Sequence, residues 1–133
     1  MTALSIVIPC FNEEACLAVL HERLTKAARA VMKDDDEIVL VNDGSKDSTW
    51  PMMRELAAKD GHVVAINLSR NHGHQLALTA GLDLCRGDHI LLIDADLQDP
   101  PELLGEMMRA MDREAAAVAR LKRVSPERAE RTP

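Results

Sequence analysis

At 133 residues, with 16 Lys plus Arg against 22 Asp plus Glu and a formal net charge of −6, the chain has the size of one domain and the wrong sign for a polyanion partner. Phe11 and Trp50 are its only aromatics, so it offers neither a cationic groove nor a stacking platform, which argues against nucleic-acid binding. A hydrophobic fraction of 47% rules out a disordered tail.

No apolar run approaches the roughly 18 to 20 residues that span a bilayer, and the opening MTALSIVIPC lacks a basic leader. The expectation is a soluble, cytoplasmic protein. Cys10, Cys16 and Cys85 are odd in number, widely spaced and set in apolar surroundings. They read as small buried hydrophobes in a reducing compartment, not as a disulfide framework or a metal site.

In chain order, SIVIP at 5–9 predicts the first strand. Leu17, Leu20, Leu24, Ala28 and Val31 then recur at helical spacing, with Asn12 as N-cap and Glu13 and Glu14 in the first turn. EIVLV at 37–41 is the second strand, and Ser48 is the expected cap of a helix with Pro51 in its first turn. HVVAINL at 62–68 is the third strand, and its helix runs from about His74 to Arg86, stopped by Gly87 in a left-handed conformation. HILLI at 89–93 is the fourth strand. Asp99 and Glu102 then predict a capping box at a fourth helix.

The four strand runs are nearly continuous in apolar residues, as expected of strands covered on both faces. Alternating strands and helices imply right-handed crossovers and an α/β fold, a doubly wound, mostly parallel sheet with helices on both faces. Residues 1–112 form the predicted unit. Residues 113–133 are expected to hold a short fifth strand with a charged tail, or a fraying end.

Ligands of open parallel sheets bind beyond the carboxyl ends of the strands. The segments there read CFNEE, NDGSKDS, SRNHGHQ and DADLQDPPE, and all four should share one rim. Asp94 and Asp96 leave the fourth strand two residues apart, so their carboxylates face one side, with Gln98 two further on. Such oxygen donors suit Mg²⁺ or Mn²⁺, although helix capping and turns account for aspartates equally simply. A net-negative protein that binds a diphosphate needs a cation between the two negatives. Asp43 has two readings, a turn residue or an acceptor for a base or ribose. Arg70 pairs with phosphate at a helix N-terminus or is simply solvated. Phe11 presents an apolar face to a base or packs in the core. His72 and His74 lack a third nearby ligand for zinc. The methionines at 52, 53 and in MMRAM read as core filler.

Taken in order, IVIPCFNEE, VNDGSKDST, LSRNHGHQLALTAGLD and LLIDADLQDPPEL resemble the inverting GT-A glycosyltransferases, in the branch of dolichyl-phosphate mannose synthase and polyprenyl-phosphate sugar transferases. The resemblance covers about residues 4 to 108. It implies that Pro9, Phe11, Glu13, Val41, Asp43, Ala95, Asp96 and Arg123 bind the donor, alongside Arg70 in its reading as a phosphate partner. It implies Asp94, Asp96 and Gln98 as ligands of Mg²⁺ or Mn²⁺, with Asp96 also catalytic. Phe11 stands where the family usually has Tyr, and Asn42 where many members have Asp.

The implied donor is a UDP- or GDP-sugar. The implied acceptor is a polyprenyl phosphate at the inner face of a membrane, already largely ionised at neutral pH. Family members run well beyond this length, so the chain is expected to be a donor-binding part with an open apolar surface that favours self-association. Three other classes compete. One is a non-catalytic nucleotide-binding module. A phosphoacceptor receiver would need its acidic pair directly after the first strand, and a dehalogenase-like phosphatase would need its Asp-x-Asp near the N-terminus.

Overall fold

The structure, a computed structural model, describes residues 4–32, 35–96, 102, 104–106 and 118–120. The elements run β1 (Leu4–Cys10), α1 (Leu17–Met32), β2 (Asp36–Asp43), α2 (Thr49–Lys59), β3 (Val63–Leu68), α3 (His74–Leu84), β4 (His89–Leu92) and β5 (Val118–Arg120). The five strands form one sheet in the order β3-β2-β1-β4-β5, and every pairing is parallel. The doubly wound α/β expectation therefore holds, and β5 is a three-residue strand beside β4.

Alternation along the central strands feeds two cores. Leu4, Ile6, Ile8 and Cys10 of β1 and Ile38 and Leu40 of β2 pack with Leu17, Leu20, Leu24 and Ala28 of α1, with Met53 of α2 and with Leu104. On the opposite face Val7, Val39 and Val41 meet Ala77 and Leu78 of α3. Among the described residues, coverage of that second face is incomplete. Edge strand β3 leaves Val64 38% exposed, so the run 62–68 is not buried on both faces as its composition suggested.

Three local expectations are corrected. Asn12 does not cap α1, which begins at Leu17 after a hydrogen-bonded turn built on the Glu13 carbonyl. Instead, Asn12 sits at φ 53 and its Oδ1 accepts the Lys46 N–H at 2.8 Å. Ser48 occupies the N-cap position of α2 but its hydroxyl makes no cap hydrogen bond. Asp47 Oδ1 takes that role, accepting the Thr49 N–H at 2.9 Å. Helix α3 ends at Leu84 with Cys85 extended, not at a left-handed Gly87. Gly87 is needed for close approach, because a Cβ there would strike the backbone and hydroxyl of Ser5, whose Oγ accepts the Gly87 N–H at 2.7 Å. The capping box at Asp99 lies outside the described residues. Glu102 is described, and its carboxylate pairs with Arg23 of α1.

Candidate functional site

A sheet of order 3-2-1-4-5 reverses its winding between β1 and β4, and the crevice at the carboxyl ends of those strands is where such folds place ligands. Phe11, Asn12 and Glu13 leave β1 on one side of this switch point, while Asp94 and Asp96 leave β4 on the other. Beyond the end of β4 at Leu92, burial alternates along the chain. Ile93 and Ala95 are buried at 2% and 3%, which turns the half-buried Asp94 and the exposed Asp96 away from the core.

Four carboxylates meet electrostatically at this corner. Burial pushes the Glu13 carboxyl above its ordinary value, and Asp96, Asp47 and Asp94 push it further in the same direction. Asp47 is held below its ordinary value although burial opposes this, because its oxygens accept from Thr49 Oγ1, from Thr49 N–H and from Glu14 N–H.

The loops after β1 and β2 are joined by side-chain-to-backbone hydrogen bonds. Asn12 N–H donates to Ser45 Oγ at 2.9 Å, Glu13 N–H to Thr49 Oγ1 at 2.8 Å, and Ser48 N–H to Glu14 Oε2 at 3.0 Å. Thr49 is fully buried and holds this junction from beneath.

The loop after β3 is held against the same rim. Asp43 Oδ1 accepts the His72 N–H at 2.7 Å. Gly44 adopts φ +72, and a Cβ there would land on the backbone of Arg70 and Asn71. Asn42 is structural, since its Nδ2 donates to Asn67 Oδ1 at 2.8 Å and its Oδ1 accepts the Ser45 N–H at 3.1 Å.

The structure thus gathers Phe11, Glu13, Asp43, Arg70, Asp94 and Asp96 at one end of the sheet. Phe11 is 43% exposed, so it is not the core residue its aromatic character allowed. Pro9, Val41 and Ala95 are buried and shape the rim from below, and the Val41 side chain packs in the α3-side core. Gln98 and Arg123 lie outside the described residues, as do the methionines of MMRAM. His72 is half-buried and Arg70 exposed. Among the cysteines only Cys10 is buried, while Cys16 and Cys85 are half-buried. Thr49, Asp47 and Ser45 are site-building residues that the motif reading did not single out. Their signal was present in NDGSKDST, but as a turn composition without a partner.

Among the described residues no group of three or more His, Cys, Asp or Glu side chains is arranged to hold a metal ion. The pair Asp94 and Asp96 fits a hard divalent cation nonetheless. Mg²⁺ ordinarily takes one or two carboxylates and fills its shell with water and substrate phosphates, and the mutual repulsion felt by Glu13 is what such a cation relieves. No described helix is long and apolar enough to cross a membrane.

Known proteins share both the sequence and the fold. The glycosyl transferase family 2 model matches residues 5–133. Uncharacterized glycosyltransferase YkcC of Bacillus subtilis (strain 168) is 48% identical over 104 residues, covering 78% of this chain and 32% of that protein. The undecaprenyl-phosphate 4-deoxy-4-formamido-L-arabinose transferase of Pseudomonas fluorescens (strain SBW25) is 46% identical over 99 residues, 74% of this chain and 29% of its own length. The mannosyltransferase PcManGT from Pyrobaculum calidifontis, solved in complex with GDP-Man and Mn²⁺, superposes with a TM-score of 0.71 at 20% identity, covering 81% of this chain and 32% of that one. S. aureus TarS 1-349 in complex with UDP-GlcNAc gives a TM-score of 0.70 at 24% identity, over 86% and 32% of the two chains. The sheet and its helices are thus of the GT-A type, and the chain spans about a third of the length of the curated relatives it matches. With the family model matching residues 5–133, this chain belongs to glycosyl transferase family 2.

Proposed function

We propose that this chain is the donor-binding part of a metal-dependent glycosyltransferase that moves a sugar from a nucleoside diphosphate to a polyprenyl phosphate of the undecaprenyl or dolichyl type. The observation that carries the reading is the clustering of Glu13, Asp94 and Asp96 at the switch point between β1 and β4, beside an exposed Phe11. Its support from relatives is a named undecaprenyl-phosphate transferase at 46% identity and a fold neighbour holding GDP-Man and Mn²⁺.

In this reading residues 1–112 receive the nucleotide. Phe11 covers the base, Asp43 accepts from base or ribose, and Pro9, Val41 and Ala95 form the floor. Arg70 and Arg123 pair with phosphate oxygens, and Glu13 closes the β1 side of the pocket. Asp94, Asp96 and Gln98 would hold Mg²⁺ or Mn²⁺. Such an ion supplies neutralisation of the charge that grows on the departing nucleoside diphosphate. The acceptor phosphate, with a second pKa of about 6, is largely ionised at neutral pH and needs little help from a general base. A lipid-borne acceptor places this rim against the inner face of a membrane.

The test is calorimetric titration of UDP, GDP and their sugars with and without Mn²⁺, on the native chain and on Asp96→Ala. Asp96 is exposed, so its removal leaves the fold intact while Mn²⁺-dependent affinity falls at least tenfold. Equal Mn²⁺-dependent affinity in both proteins would overturn the assignment. Metal-dependent binding without donor hydrolysis or transfer would instead favour a non-catalytic nucleotide-binding module.

A further inference from the structure

Strand β3 ends the sheet on one side and is hydrogen-bonded to β2 alone. In that parallel ladder Ile38 stands opposite Val63, and its N–H donates to the His62 carbonyl at 2.7 Å. His62, Val64, Ile66 and Leu68 therefore turn their backbone groups toward β2, while Val63, Ala65 and Asn67 turn theirs outward. The Val63 N–H is satisfied locally, by the Asp60 carbonyl at 3.0 Å. Among the described residues, the outward N–H groups of Ala65 and Asn67 meet no such acceptor.

Open edges are ordinarily blunted by Lys, Pro, a bulge or brevity. Strand β3 is six residues long and pairs with β2 in unbroken register. Between Asp60 and Arg70 the chain holds no Asp, Glu, Lys, Arg or Pro. On the α3 side of the sheet the strand shows Val64, 38% exposed, and the half-buried Ile66. For a molecule of net charge −6 this edge is a neutral strip on which two copies can meet. Its flanks are opposite in sign, Asp60 before the strand and Arg70 after it, so the edge complements itself when antiparallel.

We propose that two copies of this chain associate through their β3 edges, antiparallel about a two-fold axis at Ala65, so that the two five-stranded sheets become one continuous sheet. The outward groups set the register. Ala65 meets Ala65 of the second copy as a hydrogen-bonded pair, and each Asn67 N–H donates to the Val63 carbonyl of the other copy. Val64 then falls opposite Ile66 of the second copy as a close, non-hydrogen-bonded pair, twice by symmetry. Arg70 comes alongside Asp60 of the second copy. The pairing consumes the edge and closes at two copies. Strand β2 separates this edge from β1, so the crevice between β1 and β4 stays open. An interface built on one strand pair is small, and the association is accordingly weak.

The experiment is sedimentation velocity of the chain from about 1 μM to about 1 mM, with amide hydrogen exchange read by NMR at both ends of that range. A monomer–dimer equilibrium is expected. Protection of the Ala65 and Asn67 amides grows with concentration, while Val64, Ile66 and Leu68, bonded to β2, are protected throughout. Val64→Lys, at an exposed position, keeps the melting temperature and raises the dimer Kd about tenfold, since the axis loses the Val64 to Ile66 contact twice. A monomer at every concentration overturns the proposal. A dimer whose Ala65 amide stays unprotected, or which Val64→Lys leaves equally tight, forms elsewhere and overturns it too. Assembly beyond the dimer contradicts the closed two-fold pairing.

Discussion

Thr49 Oγ1 accepts the backbone N–H of Glu13 at 2.8 Å, across 36 residues of sequence, and donates its own proton to Asp47 Oδ1. One buried hydroxyl thereby sets the backbone of the β1 loop and the carboxylate of the β2 loop at the same time. Replacing it by the isosteric Val leaves a donor without a partner and removes an acid's orienting contact. Thr49→Val should cost about 1–3 kcal/mol in urea unfolding, whereas Thr49→Ser should cost less than half as much. A Val variant as stable as wild type would show that the junction is held by its other bonds.

The same corner is legible in the sequence only in part. Strands β1 and β2 announce themselves because IVI and IVLV are apolar on both faces, and the alternation of apolar and acidic residues in IDAD matches the burial of Ile93 and Ala95, although β4 itself ends at Leu92. The partner of each loop is invisible to such patterns. Asn12, Ser45, Glu14 and Ser48 meet across 33 or 34 residues through side-chain-to-backbone bonds, which leave no local periodicity. Asn12 looks like a helix cap for that reason, since an Asn before an amphipathic run has the right composition and only the fold redirects its oxygen to Lys46. Gly87 misleads in the same way. Its role is contact with Ser5, 82 residues away, rather than the left-handed turn its place after a helix suggests.

Gly44 makes the packing of the β2 and β3 loops testable. At φ +72, with its backbone against Arg70 and Asn71, it has no room for a Cβ and no freedom to change conformation cheaply. Gly44→Ala should destabilise the protein by more than about 1 kcal/mol. It should also weaken the Asp43 to His72 bond, which would appear as faster amide exchange at His72. Slow exchange at His72 in that variant would separate the loop from Gly44.

Glu13 predicts a pH dependence with a definite sign. Burial together with Asp96, Asp47 and Asp94 raises its folded-state pKa above the ordinary 4.5. The carboxyl therefore contributes stability that is fully present below its unfolded-state value and lost as the pH rises through the raised folded-state value. Glu13→Gln removes that loss. Its melting temperature should match wild type at low pH, exceed it increasingly through the window above 4.5, and run parallel above it. Saturating Mn²⁺ should narrow the gap by relieving the same repulsion in the wild type. A pH-independent difference would place Glu13 outside the acidic cluster.

The thiols provide a check on the α1-side core. Burial first, and Glu13 second, push the Cys10 thiol up to about 12, so at pH 8 it carries almost no thiolate. Ellman's reagent should leave Cys10 unlabelled in the native protein and reach it only on unfolding, while the half-buried Cys16 reacts without unfolding. Native-state labelling of Cys10 would mean that the core beneath the β1 loop opens locally.

Acid lability should originate at the opposite end of the sheet. Burial works to raise the Asp60 carboxyl, but the His62 N–H at 2.9 Å and the His21 ring at 2.8 Å outweigh it and hold its pKa below the ordinary 3.8. A depressed carboxyl contributes stability that is present above the unfolded-state value and lost as the pH falls through the lower folded-state value. Asp60→Asn keeps an oxygen for the His62 N–H but surrenders the charge facing His21. It should cost about 1 kcal/mol at pH 7. That cost should persist down to about the ordinary carboxylate value and fade below it, since the wild-type carboxyl is then losing its charge as well. Urea unfolding of both proteins between pH 2 and 7 measures the difference directly, and a cost that stays constant to pH 2 would assign the effect to shape rather than charge.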